Sequence, residues 1–155
     1  MKLISKSKLP VLSFLILLTG CNVLLIGAYD EVTDQGFQKV QTSISSLLVK
    51  IKNNLNDPTE VNYNKFKPTY EDIEGQIESL KIRCNSLPKY KLVVIHANGL
   101  DSTFKSLESF HKMGFMESDT ASIRIIKKTF DVEFNAIIQL QNGGLKREKN
   151  TKHSN

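Results

Sequence analysis

Phe37, Val40, Ile44, Leu47, Ile51 and Leu55 recur at steps of three or four residues, the repeat that lines side chains along one face of an α-helix. Phe66, Tyr70, Ile73, Ile77, Leu80, Cys84 and Leu87 form a second such stripe. A third, less regular, runs through Val93, His96, Leu100, Phe104, Leu107 and Phe110 to a stop at Gly114, and a fourth through Ile123, Ile126, Phe130, Phe134 and Ile137 ends near "QNGG". A helix with one apolar face must bury it, and four such helices joined by short connections do so against one another. The chain is therefore read as all-α, an antiparallel four-helix bundle over residues 30–142.

Local signals place the helix ends. "NDPTE" offers Asp57 as a cap, Pro58 at the first helical position and Glu60 shortly after, so the second helix is expected to begin there. Pro68 then falls inside it, where a missing N–H predicts a kink or a restart near Lys67. Pro88 ends the helix, and "MGFMESDT" separates the third from the fourth, with Ser118 or Asp119 as cap. "YKLVVIHANGL" is the least determined stretch, because its β-branched run and Asn98-Gly99 also suit a strand and turn. A lone strand would have nothing to pair with, so helix is expected. Residues 143–155 are polar and lack apolar periodicity, which predicts a disordered tail.

The N-terminus differs in kind from the rest. Lys2, Lys6 and Lys8 precede an apolar run from Leu9 to Leu18, and small residues follow, as in a secretory leader over residues 1–20. Leu18-Thr19-Gly20-Cys21 resembles the lipobox of bacterial lipoproteins, in which the cysteine thiol is alkylated by a diacylglycerol and the chain is cut just before it. That resemblance implies a signal peptide, a lipidated Cys21 at the new N-terminus, a short tether over residues 21–29 and the lipid bilayer as a partner. Two or more acyl chains hold a protein stably on a membrane where one does not. Asn22 stands where that family's inner-membrane retention pattern has Asp, so the resemblance favours the periplasmic face of the outer membrane. The competing reading is an uncleaved anchor: Leu9 to Ala28 is an uncharged stretch of the length that spans a bilayer, with the leading lysines left in the cytoplasm. Both readings put the domain outside the cytoplasm.

Charge and chemistry are less informative. Beyond the leader the chain carries 18 basic and 16 acidic side chains, and from Cys21 to Leu145 it carries 14 and 15. A near-neutral body has no electrostatic footprint for nucleic acid. Cys84 lies on an apolar stripe and is expected to pack as a small hydrophobe. No nucleophile elbow or phosphate-binding glycine loop occurs, so neither an enzyme nor a bound cofactor is expected. Glu108 and His111 form one Glu-x-x-His pair, whereas a di-metal bundle site needs two. His111 is expected to flank the last turn of its own helix, and His96 to be a hydrogen-bonded core residue. An envelope metal-handling or enzymatic bundle using Glu108 and His111 is kept as the alternative function.

"YDEVTD" opens the first helix: Asp30 can cap it, and Glu31 and Asp34 suit the positive end of its dipole. A lipidated cysteine followed by this stretch, then by "SLKIRCNSLPKY", "LESFHKMG" and "FNAIIQLQ", resembles a group of small uncharacterised bacterial lipoproteins. The resemblance spans nearly the whole chain after the leader and implies no particular activity. Tyr29, Asp30, Glu31, Thr33 and Asp34, close to the membrane surface on this reading, are the candidate interaction residues for an envelope protein partner. Phe115 and Met116 are the first candidates for self-association. The function expected is that of a tethered, non-catalytic binding module of the cell envelope.

Overall fold

The computed structural model describes residues 27–114 and 120–145. The expected leader, Cys21 and the start of the tether, Phe115 and Met116, the caps Ser118 and Asp119, and the tail past Leu145 lie outside the described residues. The described residues form helices α1 (Glu31–Asn53), α2 (Pro58–Val61), α3 (Tyr63–Ser86), α4 (Lys91–Lys112) and α5 (Thr120–Gln139), the last running into a π-helical segment, Leu140–Leu145. There is no strand among them.

The four long helices close a ring in which α1 packs on α3 and α5, and α4 on α3 and α5. Cross-helix bonds show that neighbours run antiparallel. Asp30 meets Arg83 while Ser43 meets Gln76, Lys81 meets Asp101 while Tyr70 meets His111, and Thr103 meets Glu133 while Phe110 shares a cleft with Ile125. The fold is thus an all-α antiparallel four-helix bundle. Its core holds Phe37, Val40, Ile44, Leu47 and Ile51 of α1, Phe66, Tyr70, Ile73, Ile77, Leu80 and Cys84 of α3, and Ile123, Phe130, Phe134 and Ile137 of α5. Burying each such large side chain stabilises the fold by about 1.5–3 kcal/mol, which is why the stripes dictate the packing. Cys84 is a free, buried thiol, pushed by that burial to a pKa of about 11.

Three expectations need correction. The chain breaks at Asn62 rather than near Lys67: Pro58 to Val61 form a single capped turn, and α3 then runs unbroken through Pro68. Asn62 has extended-type backbone angles (φ −58°, ψ 137°), and its side chain accepts from the Asn64 N–H at 2.9 Å, supplying a fresh cap. Along α4 the buried stripe is Val93, Ala97, Leu100, Phe104, Leu107 and His111. His96 is only half-buried and Phe110 is 44% exposed, so neither occupies the core position expected of it. "YKLVVIHANGL" is helical from Lys91 onward, with Asn98 and Gly99 on the solvent side.

The π-helical segment carries structure through Leu145, beyond the expected boundary at 142. Within it Gln141 is fully buried, and neither its amide nitrogen nor its oxygen has a hydrogen-bond partner among the described residues. An unpaired buried amide costs about 1–3 kcal/mol. Gln141→Leu, close in volume and without polar atoms, should therefore raise stability by about 1 kcal/mol, read as a higher midpoint in urea denaturation; a lowered midpoint would show that the amide is in fact paired.

Candidate functional site

The residues singled out in the sequence fall at the two opposite ends of the bundle. At one end, Gly27 to Asp34 fold back onto the turn between α3 and α4. The Gly27 N–H donates to the Lys89 carbonyl at 3.0 Å, and the Tyr90 hydroxyl donates to the Ala28 carbonyl at 2.8 Å. A Cβ on Gly27 would lie 2.5 Å from the Tyr90 ring and 2.8 Å from the Pro88 carbonyl oxygen, so only glycine permits this approach. Lys89, with φ of 62°, turns the chain there. Residues 27–29, expected in the tether, are thus docked onto the bundle.

Asp30 fastens this segment. Its carboxylate accepts from the Thr33 N–H at 2.8 Å and the Thr33 hydroxyl at 2.6 Å, capping α1. The same carboxylate also accepts two bonds from Arg83, at 2.7 Å each, in the fork geometry that arginine favours. The Arg83 guanidinium, helped by Thr33, holds the Asp30 carboxyl well below the usual carboxylate range despite partial burial. The Tyr29 hydroxyl donates to Asp34 at 2.8 Å, and burial together with this bond pushes its pKa up to about 12. Thr33 and Asp34 are buried, and Glu31 is the exposed member of the five candidate interaction residues. The helix-cap reading of "YDEVTD" accounts for what Asp30 and Thr33 do.

The other end holds Glu108 and His111. His111 is fully buried, with its Nε2–H donating to the Val61 carbonyl at 2.6 Å. A carbonyl can only accept, so Nε2 carries a proton, and in the neutral ring Nδ1 accepts from the Tyr70 hydroxyl at 3.0 Å. Burial pushes the Tyr70 phenol well above its ordinary range, which suits its role as donor. Tyr63, Phe66 and Tyr70 surround the imidazole with ring centroids 5.4 to 5.9 Å away. His111 sits in the last turn of α4, as expected, and from there closes the carbonyl end of α2 across the bundle. Glu108 accepts from the Tyr63 hydroxyl at 2.6 Å and pairs with Lys112 at 2.9 Å. Burial opposes its ionisation, but these two bonds prevail and hold it below its usual range. Both ring nitrogens of His111 and one oxygen of Glu108 are engaged within the protein, and no cluster of three metal-ligating side chains occurs among the described residues.

Between the ends, an open groove of about 800 Å³ runs along α1 and α3, floored by Gly36, Gly75 and Leu80 and edged by Lys39, Glu71, Asp72 and Arg83. Glu71, Asp72, Glu74 and Glu78 are all exposed, the solvated acidic face of α3. No helix among the described residues is long and apolar enough to cross a membrane. Among the described residues the chain forms an all-α bundle, with the docked segment at Gly27, six residues after Cys21, ahead of α1. Comparison with known protein families, with characterised proteins and with solved structures finds no match.

Proposed function

We propose that this chain is a bacterial lipoprotein, acylated on Cys21 and cut before it, whose bundle serves as a non-catalytic interaction module in the cell envelope, on the periplasmic face of the outer membrane. The observation that carries this reading is Leu18-Thr19-Gly20-Cys21 at the end of a basic-then-apolar leader, followed within six residues by a docked segment. A short connection of that kind suits a rigid body held against a bilayer. The tight intramolecular use of Glu108 and His111 favours a packing role for them over chemistry.

Expression of the full chain in a bacterium with radiolabelled palmitate tests the tether. Label is expected on the wild type and absent from Cys21→Ser, with a mature mass corresponding to a chain that starts at Cys21. An unlabelled protein that retains its leader would overturn the proposal in favour of a spanning anchor. Crosslinking of the labelled protein in cells then tests the second half, a discrete adduct with an envelope protein being expected.

A further inference from the structure

We infer that the bundle end formed by the start of α1, the α3–α4 turn and the start of α4 rests on an anionic lipid surface, an inference that builds on the tether reading above. Two chain ends converge there. Gly27 is bonded to Lys89 at this turn, and the antiparallel run of α5 against α4 brings Leu145 back to the same level. Whatever holds Cys21 to a membrane therefore holds this end nearest to it.

The rim has the chemistry for such a contact. Val32, Ile82, Leu92 and Ile95 are each about half exposed or more. All four lie within four residues of a helix end on this side, about 6 Å along the axis at the rise of an α-helix. That matches the shallow depth at which interfacial segments insert. Lys89 and Lys91 are exposed between them, while Asp30 and Asp34 are already bonded inside the protein, leaving Glu31 as the exposed carboxylate of the α1 start. Apolar side chains with a local excess of cation fit anionic headgroups. Exposed apolar residues alone would not single this end out, since Val49, Met113 and Ile125 are exposed toward the other. Exposed lysines would not either, since Lys50 and Lys52 lie at the far end; the position of the chain ends does.

The chain contains no tryptophan, so a single introduced one reports its own surroundings. Full-length protein carrying Leu92→Trp, and separately Met113→Trp as the far-end control, would be reconstituted into vesicles of phosphatidylethanolamine and phosphatidylglycerol with brominated acyl chains. Leu92→Trp is expected to shift to the blue and lose most of its emission, while Met113→Trp is unchanged. Adding Lys89→Glu and Lys91→Glu should restore much of the Leu92→Trp emission without altering the circular dichroism spectrum. Equal emission from the two positions, or stronger quenching at Met113→Trp, overturns the inference. Palmitate labelling with an unquenched Leu92→Trp leaves the tether standing and removes the lipid-facing end; quenching without label removes the tether and keeps the face.

Discussion

His111→Phe should destabilise the protein by about 3 kcal/mol, although the two rings are similar in size. The loss comes from the groups that the imidazole leaves behind. The Val61 carbonyl and the Tyr70 hydroxyl are satisfied by its two nitrogens, in a site with no solvent exposure at His111 itself. A phenyl ring answers neither, and each buried group without a partner costs about 1–3 kcal/mol. Tyr70→Phe alone should cost less, because it strands only Nδ1. In the double variant the stranded hydroxyl is gone, so the loss should fall short of the sum of the two, the signature of direct coupling. Urea denaturation of the four proteins measures this cycle. Were His111 instead a metal ligand, His111→Phe would remove bound metal with little change in stability, and its effect would add to that of Tyr70→Phe.

The same residue shows where the sequence is legible and where it is not. Helix period alone located the buried faces of α1 and α3 because nearly every core position there is an unambiguous hydrophobe, from Phe37 to Ile51 and from Phe66 to Cys84. On α4 side-chain bulk favours Phe110 over His111 and His96 over the small Ala97. The true stripe, Val93, Ala97, Leu100, Phe104, Leu107 and His111, is the more regular one, alternating steps of four and three. Regular spacing was a better guide there than side-chain type. What spacing could not supply is the reason a histidine is tolerated in the core: its partner carbonyl lies 50 residues earlier, at a helix break the sequence pattern put elsewhere.

That break follows similar logic. Pro68 is the conspicuous interruption, yet it sits on an exposed face one turn inside α3, where the helix accommodates it. The quieter signal was Asn62, able to cap the helix that follows it. Once the chain turns at Asn62, Val61 is free to be buried and its carbonyl free to meet His111. At the opposite end, the capping role of Asp30 was readable locally from its place at the head of the first helix, whereas its pairing with Arg83, 53 residues away, required the packed bundle. The polar contacts missed were long-range, while caps and stripes are short-range.

Asp30→Ala should lower stability by about 1–3 kcal/mol at neutral pH, combining about 0.5–2 for a lost helix cap with up to about 1 from the broken ion pair. The pair's share is kept modest because the two side chains are 22% and 38% exposed, and water screens them. Asp30→Asn keeps a capping oxygen and should cost less. The carboxyl is held below its ordinary range in the folded protein, so it binds a proton more readily when unfolded. Its contribution is therefore fully present above the ordinary carboxylate pKa of about 4 and is lost as pH falls below that value. Denaturation midpoints for the wild type should decline through this acid range, and Asp30→Asn should flatten part of the decline; parallel curves would show that Asp30 is not the group titrating. The clamp also fixes Gly27 to Tyr29 on the α3–α4 turn, so its loss should reach the membrane contact as well. Asp30→Ala is expected to reduce both stability and the quenching of Leu92→Trp, whereas Lys89→Glu should reduce the quenching alone. The difference between those two outcomes separates a residue that positions the lipid-facing end from one that touches the lipid.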